Sequence, residues 1–204
     1  MALVAGGTFA YFSDTEISTG NSLTAGTLNL QVGAADPMTD KVTLANIKPT
    51  DTDTAAIWLT KNLGSLEGTF SVSISAITDN ENTITEPEAA AGDVTAGVGE
   101  LGGLLKIAIW MDADKNGGWS TSDYYLDPTV PGKVAWVSDV TLPTAAYFTV
   151  DSFGIKSFSS LQTVAATTDA GNFRIEYNFP DGGASDNVAQ SDSSVFDITF
   201  MLNQ

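Results

Sequence analysis

The chain predicts an all-β fold, an antiparallel jelly-roll sandwich, on three observations. Apolar residues recur at alternate positions in short runs, Gly, Pro, Asn and Asp punctuate those runs, and no stretch sustains a helical period. About nine or ten strands follow from that pattern. No shift in composition marks a linker, so residues 13–204 read as one domain.

Taken in order, residues 1–12 carry no charged side chain and are too short to span a bilayer. They resemble the end of a signal-peptide apolar region running into the mature protein. If they persist, Leu3, Val4, Ala5, Thr8, Phe9, Tyr11 and Phe12 make a β-prone segment that seeks a sheet edge, in its own sandwich or a neighbour's. Leu28, Leu30 and Val32 then share one face of a half-buried strand, and a turn at Asn46–Asp51 precedes another around residues 57–64. The cleanest alternation is Phe70, Val72, Ile74 and Ala76 against Ser71, Ser73 and Ser75, which predicts one wet face. Residues 79–103 read as a long surface insertion with one short helix starting near Pro87, and Asp79, Glu81, Glu86 and Glu88 as its solvated acids. Further strands are expected over 104–111, 133–137, 147–150, 172–179 and 195–202, whereas 157–168 suits neither period cleanly.

Composition limits the chemistry. The 204 residues hold 8 basic and 25 acidic side chains, a formal charge of −17, with no histidine and no cysteine. Such a field repels phosphate backbones and anionic membrane surfaces, which argues against a nucleic-acid partner. Thiol and imidazole nucleophiles, disulfides and the usual zinc ligand sets are excluded. Carboxylates, carbonyls and hydroxyls remain, the hard donors that suit calcium or magnesium.

The most specific motif is Asp112-Ala113-Asp114-Lys115-Asn116-Gly117-Gly118-Trp119-Ser120-Thr121-Ser122-Asp123. It has the spacing of a calcium loop. Asp112, Asp114 and Asn116 stand at positions 1, 3 and 5, a glycine at 6, the Gly118 carbonyl at 7, Ser120 at 9 and Asp123 at 12. An aspartate replaces the usual glutamate at the last position, and the preceding apolar run is β-prone, so the loop hangs from a strand rather than between two helices. Asp, Asn and Gly also build plain hairpin turns, which is the alternative reading. Lesser metal candidates are Asp181 with Asp186 in an acidic, glycine-rich turn, and Asp14 with Glu16 just after the N-terminal segment.

Three groups of motifs resemble the TasA/camelysin family of secreted fibre proteins. They are Phe12-Ser13-Asp14-Thr15-Glu16 leading to Leu23–Leu30, Asn46–Asp51 followed by the Trp58–Gly68 stretch, and Phe179-Pro180-Asp181 with Asn187–Gln190 and Phe196–Phe200. Within that family the chain is similar to archaeal cannula subunits of the CanA type, which build extracellular tubes between hyperthermophilic cells. The resemblance implies a secreted jelly roll that polymerises with copies of itself. Residues 1–12 would act as a donor strand completing a neighbour's sheet, and calcium would promote assembly. The scarcity of lysine and arginine sits awkwardly with a hyperthermophile surface. Camelysins carry a metallopeptidase description, from which this chain departs in having no histidine.

These observations favour a structural subunit that is not an enzyme and has no membrane partner in its mature form. A calcium-dependent carbohydrate-binding or adhesive module would instead need an exposed aromatic platform, with Trp110, Trp119 and Trp136 to inspect. A carboxylate-based hydrolase would need two converging acids such as Asp151 and Glu176.

Overall fold

The computed structural model describes Ser22, residues 24–135 and residues 141–204. Residues 1–12, expected to act as a donor segment, lie outside the described residues, as do Asp14, Glu16 and Trp136. Each alternating run contains a strand, because its β-branched and aromatic residues fit a pleated surface that is buried on one side. In chain order the strands are β1 (Leu30–Val32), β2 (Thr52–Asn62), β3 (Gly68–Ile74), β4 (Thr78–Asn80), β5 (Lys106–Asp112), β6 (Tyr124–Asp127), β7 (Gly132–Ala135), β8 (Phe148–Thr149), β9 (Lys156–Val164), β10 (Thr168–Asn178), β11 (Ser193–Val195) and β12 (Ile198–Asn203). Two short helices, α1 (Glu86–Ala91) and α2 (Leu101–Leu104), interrupt them.

The pairing is antiparallel throughout. A large sheet runs β1-β2-β10-β5-β6-β7, with β8 also on β5; a second runs β12-β3-β9, and β11 pairs with β4. One core joins the two main sheets. Trp58, Ile107, Ile109, Met111, Phe173 and Ile175 from the first share it with Phe70, Val72, Phe158 and Leu161 from the second. Phe173 lies parallel to Trp58 at 6.3 Å and edge-on to Phe200 at 4.9 Å. Burying each such side chain stabilises the fold by about 1.5–3 kcal/mol. Because strand side chains alternate, Ala108 and Trp110 of β5 point to the opposite face, where they form a smaller cluster with Trp119, Tyr125 and Ala146.

Three expectations change. The serine face of β3 is not wholly wet: β3 is the central strand, and buried Ser71 accepts a hydrogen bond from the Ser160 N–H at 3.2 Å. The ambiguous stretch 157–168 is the β9–β10 hairpin. Its apolar spacing misled because the register jumps opposite Phe70 and Val72, and Ser160 takes φ 54°. Extra residues on the bulged strand reset the alternation, so Phe158 and Leu161, three apart, both face the core.

The third change concerns the insertion. Its helix α1 forms where expected, with Pro87 in the first turn and Gly92 at φ 103° ending it. Yet residues 79–103 are not a solvated loop. Glu88 is fully buried, Asp93 and Leu101 are buried, and Glu81 is partly buried. Pairing of β4 with β11, and bonds from Asn82 and Ser191 across the gap, draw the segment against residues 191–195.

Candidate metal centre

Strand β5 ends at Asp112, and β6 begins one residue after Asp123, so the two sheet partners bring both ends of the loop together. Asp112 and Asp123 are buried at 0% and 1% exposure, while Asp114 is exposed. Each of the three offers an oxygen within 4.8 Å of the other two, close enough to hold a metal ion.

Backbone amides organise them. Asp123 accepts from Ala113 N–H at 2.8 Å and Ser120 N–H at 2.6 Å, which ties the last loop position to the first turn. Asp112 Oδ2 accepts from Gly117 N–H at 3.2 Å and from the Asn172 side chain at 3.3 Å. Its other oxygen, Oδ1, is buried with no hydrogen-bond partner among the described residues. Asp114 accepts from Asn116 N–H and from the Ser120 hydroxyl, and Gly118 N–H donates to Asn116 Oδ1 at 2.7 Å. Burial raises the Asp123 pKa above its ordinary value. For Asp114 burial pulls the same way, but the bonds from Asn116 and Ser120 outweigh it and hold the group low.

A residue from a distant strand completes the surroundings. Arg174 of β10 lies with Nη1 at 3.6 Å from Asp112 Oδ2, donates to the Gly117 carbonyl at 3.1 Å, and stacks over Trp110 at 4.8 Å. Nothing in the local spacing of residues 112–123 pointed to it. The pairing Arg174↔Trp110 in the β10–β5 register is what delivers it.

Other predicted residues have different surroundings. Asp181 accepts from Gly183 N–H at 2.9 Å and buried Asp186 from Gly182 N–H at 2.6 Å, each closing its own turn. Neither belongs to a described group of three acids near enough to share an ion. Trp119, a candidate for an exposed aromatic platform, is only 6% exposed and edge-on to Trp110 at 5.0 Å, because the hairpin folds its apolar ring under the loop. Asp151 lies beside Asp79, whereas Glu176 accepts from Trp110 Nε1 and Tyr147 OH, so that pair has separate partners.

A second concentration of acids includes Glu81 and Glu88, which the sequence suggested were solvated. Oxygens of Glu81, Glu88 and Asp192 lie within 4.8 Å of one another, as do those of Glu81, Asp93 and Glu100. Burial first, then the charges of Asp192, Glu88 and Asp93, push the Glu81 carboxyl up to about 7. Four of these acids are spread through the insertion, with Asp192 far along the chain, so no compact motif announced them.

Residues 1–98 match the family model described as camelysin metallo-endopeptidase. No curated protein matches the chain. The matched part ends before Asp112, so the loop at 112–123 lies beyond it. A metallopeptidase centre of the usual kind holds zinc through histidines and activates a bound water. With no histidine or cysteine in the sequence, and carboxylates as the clustered donors, these residues do not fit such a centre. Among the described residues, no helix is long and apolar enough to cross a membrane.

Proposed function

We propose that the chain is a secreted structural subunit that polymerises with copies of itself into an extracellular tube or filament, with calcium bound at Asp112, Asp114, Asn116, Gly118, Ser120 and Asp123. The observation that carries this reading is an open seam in the sandwich. A cleft of about 1410 Å³ runs along the core and is lined by Leu30, Val42, Leu44, Trp58, Phe179 and Phe200, among others. Beside it β12 pairs with β3 alone among the described residues, so its outer edge has no described strand partner. Such an edge over an apolar groove suits an added strand, and residues 1–12 have the uncharged, β-prone character to supply it. In a completed jelly roll that strand would come from a neighbouring subunit.

Calcium contributes in two ways. It offsets part of the −17 charge that otherwise makes subunits repel. At about 100 times its dissociation constant it also adds ~2.7 kcal/mol to whichever state binds it. The match of residues 1–98 to the camelysin family agrees with a secreted protein of the fibre-forming kind. Burial of Trp110 and Trp119 removes two of the three rings a sugar-binding platform would need.

The test is light scattering of the purified full chain with calcium, magnesium or chelator, alongside a chain lacking residues 1–12. Calcium-dependent growth by the full chain alone is the expected result. A full chain that stays monomeric at millimolar calcium overturns the reading.

A further inference from the structure

We propose that Glu81, Glu88, Asp93, Glu100 and Asp192 form a binding site for hard divalent cations of the calcium class, which latches residues 79–103 onto the turn before β11. The site is separate from the loop at 112–123 and does not depend on the assembly reading.

The argument rests on how each carboxylate is held. Glu88 accepts from Thr85 N–H through Oε2, Asp93 from Thr95 N–H through Oδ1 at 2.9 Å, and Asp192 from Glu100 N–H through Oδ2 at 2.6 Å. One oxygen of each is thereby fixed by a backbone amide. The other oxygen, Oε1 of Glu88, Oδ2 of Asp93 and Oδ1 of Asp192, is buried and has no hydrogen-bond partner among the described residues. Glu100 Oε2 is in the same condition, and both Glu81 oxygens are buried beside the Thr83 N–H and the Asp192 carboxylate. Glu88 is 0% exposed and Asp93 6%, so water does not solvate these atoms freely.

Burying carboxylates without compensation is costly, and the described ion pairs bring no lysine or arginine to any of the five. The oxygens converge on two groups that share Glu81. Calcium takes six to eight oxygen ligands and accepts irregular geometry, and the absence of nitrogen and sulfur donors excludes the metals that prefer them. The shared Glu81 makes the two groups one site. Its position explains its use, because Asp192 belongs to the segment leading into β11 while the other four belong to the insertion. A cation held between them joins two parts of the chain about ninety residues apart in sequence and firms one wall of the cleft, which Asp192, Ser193 and Phe196 help to line.

Calcium itself is the probe. Equilibrium dialysis of the full chain measures bound calcium for the unaltered protein, Glu81→Gln, Glu88→Gln and, as a control at the other loop, Asp114→Asn. The two glutamine variants should bind less calcium than the unaltered chain, and Asp114→Asn should retain the component they lose. Failure of the 112–123 loop to bind calcium would leave that difference intact. Thermal melts add a sign: Glu81→Gln should raise Tm in chelator by relieving repulsion, and should cut the rise of about 5–10 °C expected at a hundredfold excess of calcium over its dissociation constant. Hydrogen exchange on the unaltered chain reports on the site without any substitution, and amides of residues 81–103 should slow when calcium is added. Equal calcium binding by the glutamine variants, or unchanged exchange over 81–103, overturns the proposal. So does stabilisation by acid but not by calcium, which would mean that the carboxyls share protons instead.

Discussion

Arg174→Met should make the stability of the fold depend more strongly on calcium. In chelator, Arg174 is the cation facing Asp112, whose carboxylate is 0% exposed and 3.6 Å from the guanidinium. Removing one partner of a buried ion pair costs about 3–5 kcal/mol, mostly because the remaining charge is left uncompensated. Asp112 keeps its bonds from Gly117 N–H and Asn172, which places the loss near the lower end, ~3 kcal/mol. For a chain of this size each kcal/mol moves Tm by roughly 2–4 °C, so the midpoint should fall by about 6–12 °C in chelator. With calcium at the loop the ion supplies the missing positive charge, and it no longer sits beside a guanidinium. The remaining loss is then the stack on Trp110, the bond to Gly117 and the looser pairing with Glu176 at 4.0 Å, about 1–2 kcal/mol together. Paired thermal melts in chelator and in millimolar calcium measure the difference directly. Equal losses in both conditions would refute the placing of a cation among Asp112, Asp114 and Asp123.

Two further outcomes follow from the same geometry. Asp151 and Asp79 meet over Gly102, where an added Cβ would come within 2.4 Å of one carboxyl and 2.5 Å of the other. Partial burial, then the hydrogen bond and charge of Asp79, raise the Asp151 pKa from 3.8 to about 6. A raised acid binds its proton more tightly folded than unfolded, so its contribution to stability is complete below pH 4 and is lost as pH climbs through about 6. In chelator, acidification from pH 7 to 5 should therefore raise Tm, with Glu81 contributing alongside Asp151, and Asp151→Asn should remove part of that rise; an unaltered slope would show that the pair is not responsible. In the core, Phe173→Ala removes a ring that is 1% exposed and packed on Trp58 and Phe200. It should cost about 3–5 kcal/mol in urea unfolding, and a loss under ~1.5 kcal/mol would contradict its central place.

The alternation of Phe70, Val72 and Ile74, and of Phe173 and Ile175, marked core strands correctly because side-chain direction in a strand is a local property with a period of two. The loop at 112–123 was legible for a similar reason, since its donors lie within a dozen residues and a turn brings them together whatever the rest of the chain does. Local reasoning failed where burial depended on a distant partner. Trp119 lies in a loop, yet Trp110 packs beneath it, and Glu81 and Glu88 lie in a polar insertion, yet Asp192 and the segment leading into β11 close over them.

What the amino-acid sequence determined by itself was the all-β class, the placing of most strands, the absence of imidazole and thiol chemistry, and the oxygen spacing of Asp112, Asp114 and Asp123. Tertiary structure decided that Arg174 faces Asp112, that among the described residues β12 pairs only with β3 beside an apolar cleft, and that five acids converge around Glu81. The physical reason is common to all three. Charge compensation, edge pairing and desolvation are set by what lies across a sheet or a gap, and strand order, which no local pattern encodes, determines that.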